Sequence, residues 1–305
     1  HHTRWYATTM LLVFGCTSLI PLLHGDQRLT ARARSLHACA SRRPDVESLR
    51  VLYASRRFEA ETLKATLLIE DMMQRQQTKG ECTRCWLPLD LCLCGADGRI
   101  QAGLTNRVDV VVAMHYKEFG KKKNTARLLP LALPSHAQMV THPMDTPALL
   151  DRMQATPSLL LWPGTGSLPA SSYRDWVADV TAGEEEERVL LIVLDGTWGQ
   201  VKNMAREFMR AGVRLVHVSD VASVSIMDDR RQIATSRVTT AEAVALALGE
   251  LGEPAAAAAL TDALHVSANA YRQHLERNSN AEFMEAKRAG VLERRAVLPG
   301  RNIQK

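Results

Sequence analysis

No segment of this chain is apolar for long enough to cross a bilayer comfortably. The run MLLVFGCTSLIPLLHG from Met10 falls short of the roughly 20 residues a membrane helix needs. A disulfide framework is missing as well. Four of the six cysteines lie within thirteen residues, and Cys16 and Cys39 stand alone, a distribution that suits metal binding in a reducing compartment. The chain also lacks a globally basic body. Its formal net charge is +5, but residues 1–50 carry seven arginines, no lysine and three acids, leaving 31 basic and 30 acidic residues for the rest. A polyanionic partner must therefore meet local patches. No internal repeat is present, which sets aside solenoid architectures.

What is present is ordinary for a globular protein: 305 residues, 46% of them apolar and 23% charged, enough for one large domain with extensions or for two domains. The chain starts on His1-His2 rather than methionine, which leaves its native start open. Residues 1–45 read as a leader or a disordered extension. A secretory signal carries its positive charge ahead of the apolar run, whereas here DQRLTARARSLHACASRR follows it. An arginine-rich, acid-poor leader suits organelle import, so cytoplasmic, nuclear and mitochondrial locations stay open.

Four apolar, partly β-branched runs read as strands: RVDVVVAMH (107–115), SLLLWPG (158–164), RVLLIVLDG (188–196) and VRLVHVS (213–219). Between and after them lie helical patterns. Tyr173, Trp176, Val177 and Val180 fall at helical spacing, as do Val201, Met204, Ala205 and Phe208. Thr197 with Gln200, and Thr239 with Glu242, have the spacing of capping boxes. Residues 254–295 are alanine-rich, with a proline in the first turn. The alternation predicts an α/β class with a mainly parallel sheet and helices on both faces. The boundaries follow: a helix and cysteine knuckle over 46–106, an α/β core over 107–253 and a C-terminal helical extension over 254–305. GEEEE at 183–187 reads as a solvated loop.

Two stretches carry chemistry. CTRCWLPLDLCLC pairs Cys82 with Cys85 and Cys92 with Cys94. Four thiolates suit a tetrahedral Zn2+ and leave it no open position, so such a metal would be structural. The other readings are four unliganded thiols packed as small hydrophobes, or a redox dithiol. LLIVLDGTWGQ takes a fully apolar strand into Asp195-Gly196-Thr197-Trp198 and then into a helix. The C-terminal end of a strand in an open α/β sheet is where ligands usually bind. A well-capped turn with a core tryptophan is the alternative.

The knuckle and the Asp-Gly-Thr-Trp turn together resemble the DTW-domain family, the tRNA-uridine aminocarboxypropyltransferases. MHYKEFGKKKNTARLL (114–129), LLWPGTGS (160–167) and SRVTTAEAVALAL (236–248) match further family segments in order, so the resemblance spans about residues 80–275. Tyr116, Trp162 and Thr239-Thr240 depart from the usual residues, and Gly199 stands where arginine is common. The resemblance implies a SPOUT-like, knotted fold that binds S-adenosylmethionine and moves its 3-amino-3-carboxypropyl group to N3 of a uridine in tRNA. It places Pro163, Gly164, Leu194, Gly196, Thr197, Trp198, Thr239 and Thr240 around the cofactor and allows a homodimer. Asp195 is the candidate catalytic group, either as a base raised by burial or as the anchor of the cofactor's α-ammonium. His115 is a second candidate base, though a strand-end histidine commonly serves structure. Trp198 would stack on adenine or on the target base, or anchor the helix. For RNA the candidates are Lys121, Lys122, Lys123, Asn124, Thr125 and Arg127, with Asn124 and Thr125 suited to a polar contact inside the site. Arg206, Arg210, Arg230, Arg231 and Arg237 would extend the basic surface. The competing readings are a SPOUT methyltransferase, a ribosomal-RNA aminocarboxypropyltransferase and a non-catalytic zinc RNA-binding module.

Overall fold

The computed structural model describes residues 46–94, 100–183, 187–219, 226 and 238–288. The leader, most of the acidic loop at 183–187, Arg230, Arg231, Arg237 and the tail beyond 288 lie outside the described residues. The chain divides into two compact units, residues 1–55 and 56–305, and of the first only the start of one helix is described.

The elements in chain order are helix α1 (Val46–Thr78), strand β1 (Val108–His115), the single turn α2 (Leu129–Ala132), β2 (Ala137–His142), α3 (Thr146–Ala155), β3 (Ser158–Leu161), β4 (Leu168–Pro169), α4 (Arg174–Val180), β5 (Val189–Asp195), α5 (Trp198–Arg210), β6 (Arg214–His217), α6 (Thr240–Glu250) and α7 (Pro254–Arg288). The six strands form one sheet in the order β2-β1-β5-β3-β6-β4, and every pairing is parallel. Parallel neighbours need crossovers, and these place helices on both faces.

The strand residues alternate between two cores. Val110, Val112, Leu159, Leu191 and Val193 face one layer, which includes α2, α6 and α7. Val111, Ala113, Leu160, Leu190 and Ile192 face the other, with Leu149 and Met153 of α3 and Met204 and Phe208 of α5. Both faces being covered explains why the strand sequences show no polar alternation. Ala256, Leu260, Ala263 and Leu264 of α7 are buried in the first core, so the start of the presumed extension packs with the sheet.

Two strands escaped the sequence reading. β2 is an edge strand that is only half-buried and carries Gln138 and Thr141 among its apolar residues. β4 is two residues long at the opposite edge and contains Pro169, which an edge tolerates. The described residues show the parallel α/β sheet and not the expected SPOUT-like knot, and residues 220–225 and 227–237 lie outside them.

Candidate active site and cysteine knuckle

The sheet brings the C-terminal ends of its central strands together. In the register Met114 lies opposite Asp195, and His115 opposite His142. Asp195 closes β5, and the chain turns at Gly196 into α5. A Cβ at Gly196 would lie 3.1 Å from Gln200 Oε1 and 3.3 Å from Gln200 Cβ, so a side chain there would require Gln200 to give way. Gln200 Oε1 accepts the Thr197 N–H at 2.7 Å, completing the predicted cap contact. At α6 the second predicted box is present: Glu242 Oε2 accepts the Thr239 N–H at 2.6 Å, and Thr239 Oγ1 accepts the Glu242 N–H at 3.4 Å.

Asp195 is 6% exposed and its two carboxylate oxygens are both engaged. Thr240 Oγ1 donates to Oδ1 at 2.6 Å, and Asn124 Nδ2 donates to Oδ2. The carboxylate accepts there, so Asn124 must present its NH2 group to it. Its own Oδ1 is buried without a hydrogen-bond partner. A buried carbonyl oxygen left unpaired costs about 1–3 kcal/mol and marks a place where a donor belongs. Thr125 Oγ1 accepts the Ala241 N–H at 3.2 Å, tying the same loop to the first turn of α6. Asn124 and Thr125, read from sequence among the RNA candidates, are buried and make these polar contacts within the protein.

Burial favours the uncharged form of both histidines beside the turn. Burial pulls His115 below the ordinary histidine value, and burial followed by the neighbouring His115 pulls His142 down to about 4. His115 Nδ1 accepts the Lys117 N–H at 3.2 Å, so the neutral ring carries its proton on Nε2. On that nitrogen it is a donor and not a base.

The loops that the resemblance assigned to the cofactor surround this centre unevenly. Leu194, Gly196 and Thr240 are half-buried, Thr239 is buried, and Pro163, Gly164, Thr197 and Trp198 are exposed. Trp198 is not a core anchor: it is 56% exposed and stacks on Trp162, with ring centroids 5.2 Å apart and planes 11° from parallel.

The basic loop looks different in three dimensions. Lys121 pairs with Glu118 at 2.8 Å and Lys122 with Glu81 at 2.7 Å, while Lys123 lies 5.9 Å from the centroid of the Tyr271 ring. Arg127 is 1% exposed, so it does not reach the surface where RNA would lie. Its guanidinium donates to the carbonyls of Asn124 (2.9 Å), Lys122 (3.0 Å) and Cys85 and to Ser267 Oγ (3.3 Å). A charge buried this deeply requires such a full set of acceptors. Arg127 therefore ties the cysteine knuckle, the Asn124 loop and α7 together.

In the knuckle the four sulfurs of Cys82, Cys85, Cys92 and Cys94 lie within 4.8 Å of one another. The Cys85–Cys92 and Cys82–Cys94 sulfurs are 3.6 and 3.9 Å apart, far beyond a disulfide bond of about 2.05 Å. Tetrahedral zinc with bonds of about 2.3 Å requires sulfurs about 3.8 Å apart, so the set can hold Zn2+. The Leu93 and Cys94 amides each donate to a sulfur at 3.4 Å, to Cys85 and Cys92 respectively, the outer support that a thiolate site needs. Burial pushes the Cys92 thiol up to about 11, whereas the hydrogen bond from Cys94 draws Cys85 down to about 4, so the four thiols of the knuckle do not ionise alike.

Comparison with known families settles what kind of chain this is. The DTW domain matches residues 79–272, which includes the knuckle, the sheet and the start of α7. The chain belongs to the DTW-domain family. No curated protein and no solved structure matches it. In this DTW chain the name-giving turn lies at the strand ends, with Asp195 buried and Trp198 outside. His142 and the stacking of Trp162 were not foreseen from sequence. His142 sits in the missed edge strand, and only the register shows that it neighbours His115. A cleft of ≈ 330 Å³ also opens at the opposite, N-terminal end of the strands, lined by Asp109, Arg152 and Arg188 among others. Arg188 and His136 already hold Asp109 there, at 2.7 and 3.2 Å, so the DTW turn remains the better candidate site.

Proposed function

We propose that this chain transfers the 3-amino-3-carboxypropyl group of S-adenosylmethionine to N3 of a uridine in tRNA and releases methylthioadenosine. The DTW family is associated with tRNA modification, which supports the RNA substrate. The observation that carries the proposal is the buried Asp195 carboxylate beside the unpartnered Asn124 Oδ1. A carboxylate and a neutral carbonyl oxygen, both acceptors, suit a group with several N–H donors and a positive charge. The α-ammonium of the aminocarboxypropyl arm has both properties.

Asp195 is accordingly read as the anchor of that ammonium, with Asn124 completing the cage and Thr240 fixing the carboxylate. A base would have to accept a proton in competition with those donors. Gly196 and Gly164 would let backbone approach the cofactor. The bound sulfonium supplies an activated carbon. In the transfer the bond from sulfur to the γ-carbon breaks, its electron pair stays on sulfur, and a bond from uridine N3 to that carbon forms. The N3 proton leaves to water. The chain's contribution is chiefly positioning, because all three carbons on the sulfonium are activated and orientation selects among them.

Labelled cofactors test the reading. With unmodified tRNA, carboxyl-labelled S-adenosylmethionine is expected to mark the RNA, and methyl-labelled cofactor is expected to leave it unmarked. Methyl label in the RNA would make the chain a methyltransferase and overturn the proposal.

A further inference from the structure

We infer that the stacked Trp162–Trp198 pair and the cationic stripe Lys202–Arg206–Arg210 form the track on which single-stranded RNA lies beside the Asp195 site. The inference rests on the RNA-directed function proposed above and names the surface that would carry it.

The geometry begins at the DTW turn. Trp198 opens α5 three residues after Asp195, and more than half of its surface faces solvent. Two parallel indoles at that position offer the flat, sequence-tolerant surface on which unstacked bases lie. Lys202 Nζ is 5.3 Å from the Trp198 ring centroid, where it can meet the phosphate of a nucleotide whose base rests on the indoles. Beyond it, Arg206 and Arg210 continue at four-residue steps, each step advancing ~6 Å along the helix. All three cations are exposed, while Val201, Met204, Ala205 and Phe208 turn the opposite side of α5 into the core.

Charge distinguishes this stripe from the lysine loop. Lys121 and Lys122 are committed to Glu118 and Glu81. Among the described residues no salt bridge takes Lys202, Arg206 or Arg210. Arg206 has a neutral partner, Asn203 Oδ1 at 3.1 Å, and the half-buried Glu207 feels the charge of Arg210 but is pushed up by burial, which favours its neutral form. An exposed indole stacked on a half-buried one and followed by exposed cations is the composition of a single-strand surface. The adenine of the cofactor is the competing occupant of Trp198. An adenine held for group transfer is enclosed, and Trp198 is open.

Binding of a short oligouridylate by the full chain, without cofactor and across a range of salt, tests this. Trp198→Ala is expected to weaken binding roughly 5- to 150-fold, the effect of losing one base–aromatic stack, and Trp198→Phe to keep most of the affinity. Replacing Lys202, Arg206 and Arg210 together by glutamine is expected to flatten the slope of log affinity against log salt by about 2. Unchanged affinity in Trp198→Ala together with an unchanged slope in the triple variant overturns the inference. So does loss of S-adenosylmethionine binding in Trp198→Ala with oligouridylate affinity intact, which would make Trp198 the adenine support. Failure of the labelled transfer with these binding results intact would count against the proposed reaction and leave the track standing.

Discussion

A single carboxylate organises the site. Asp195 draws Asn124 from the loop after β1 and Thr240 from the start of α6, so one side chain holds three segments in register. Asp195→Asn is expected to fold. The new amide oxygen can accept from Asn124, and the Thr240 hydroxyl can reverse its role and accept the amide N–H. The charge is lost, so S-adenosylmethionine affinity and transfer should fall by at least tenfold while the unfolding temperature moves little. A cofactor titration beside a thermal melt checks this, and wild-type affinity in the variant would remove Asp195 from the binding site. His142 makes a second prediction. Its folded value of about 4 lies below the ordinary 6.5, so the unfolded chain binds more protons between these limits. The stability it contributes is present above pH 6.5 and is lost as pH falls toward 4. His142→Gln should make the melting temperature less sensitive to pH in that window.

Elements are joined by a few carboxylates as well as by apolar contact. Glu253, in the turn between α6 and α7, is 3% exposed and accepts the Asn106 and Arg107 amides at 2.8 and 2.7 Å. Those residues lead into β1, so one side chain fixes the first strand to the last helix pair. Glutamine has one acceptor where the carboxylate has two, and its amide would face an N–H. Glu253→Gln should cost about 1–3 kcal/mol, read as a lower denaturation midpoint with an unchanged slope. At this scale much was legible in advance. The strands β1, β3 and β5 announce themselves because burial on both faces favours apolar runs, and the less buried β6 is still marked by Leu215 and Val216. The half-buried β2 obeys no such rule, and it brought His142 with it.

Across the whole molecule the cysteine knuckle and the site are one structure. Cys85 offers its carbonyl to Arg127, Arg127 holds the Asn124 carbonyl, and the Asn124 side chain holds Asp195. A metal that gathers the four sulfurs therefore also steadies the loop that shapes the pocket. Stripping it with a chelator is expected to lower the melting temperature and to weaken S-adenosylmethionine binding, although no cysteine touches the proposed cofactor position. Metal analysis, a melt and a titration on one sample would show whether the losses coincide. Affinity that survives complete metal loss would show the coupling through Arg127 to be absent.

Local pattern settled what depends on neighbours in the chain. The apolar strands, the caps at Thr197 and Thr239, the buried stripe of α5 and the spacing of Cys82, Cys85, Cys92 and Cys94 all follow from a few adjacent residues, and each is present in the fold. The tertiary structure decided which distant groups meet. Asn124 and Thr240 reach Asp195 across 71 and 45 positions of sequence, and Glu81 reaches Lys122 across 41. Arg127 reads as a surface cation beside three lysines until packing encloses it. Hydrophobic periodicity reports which side of an element is covered, but not which partner covers it, and the charge on a loop is set by acids that only folding brings near.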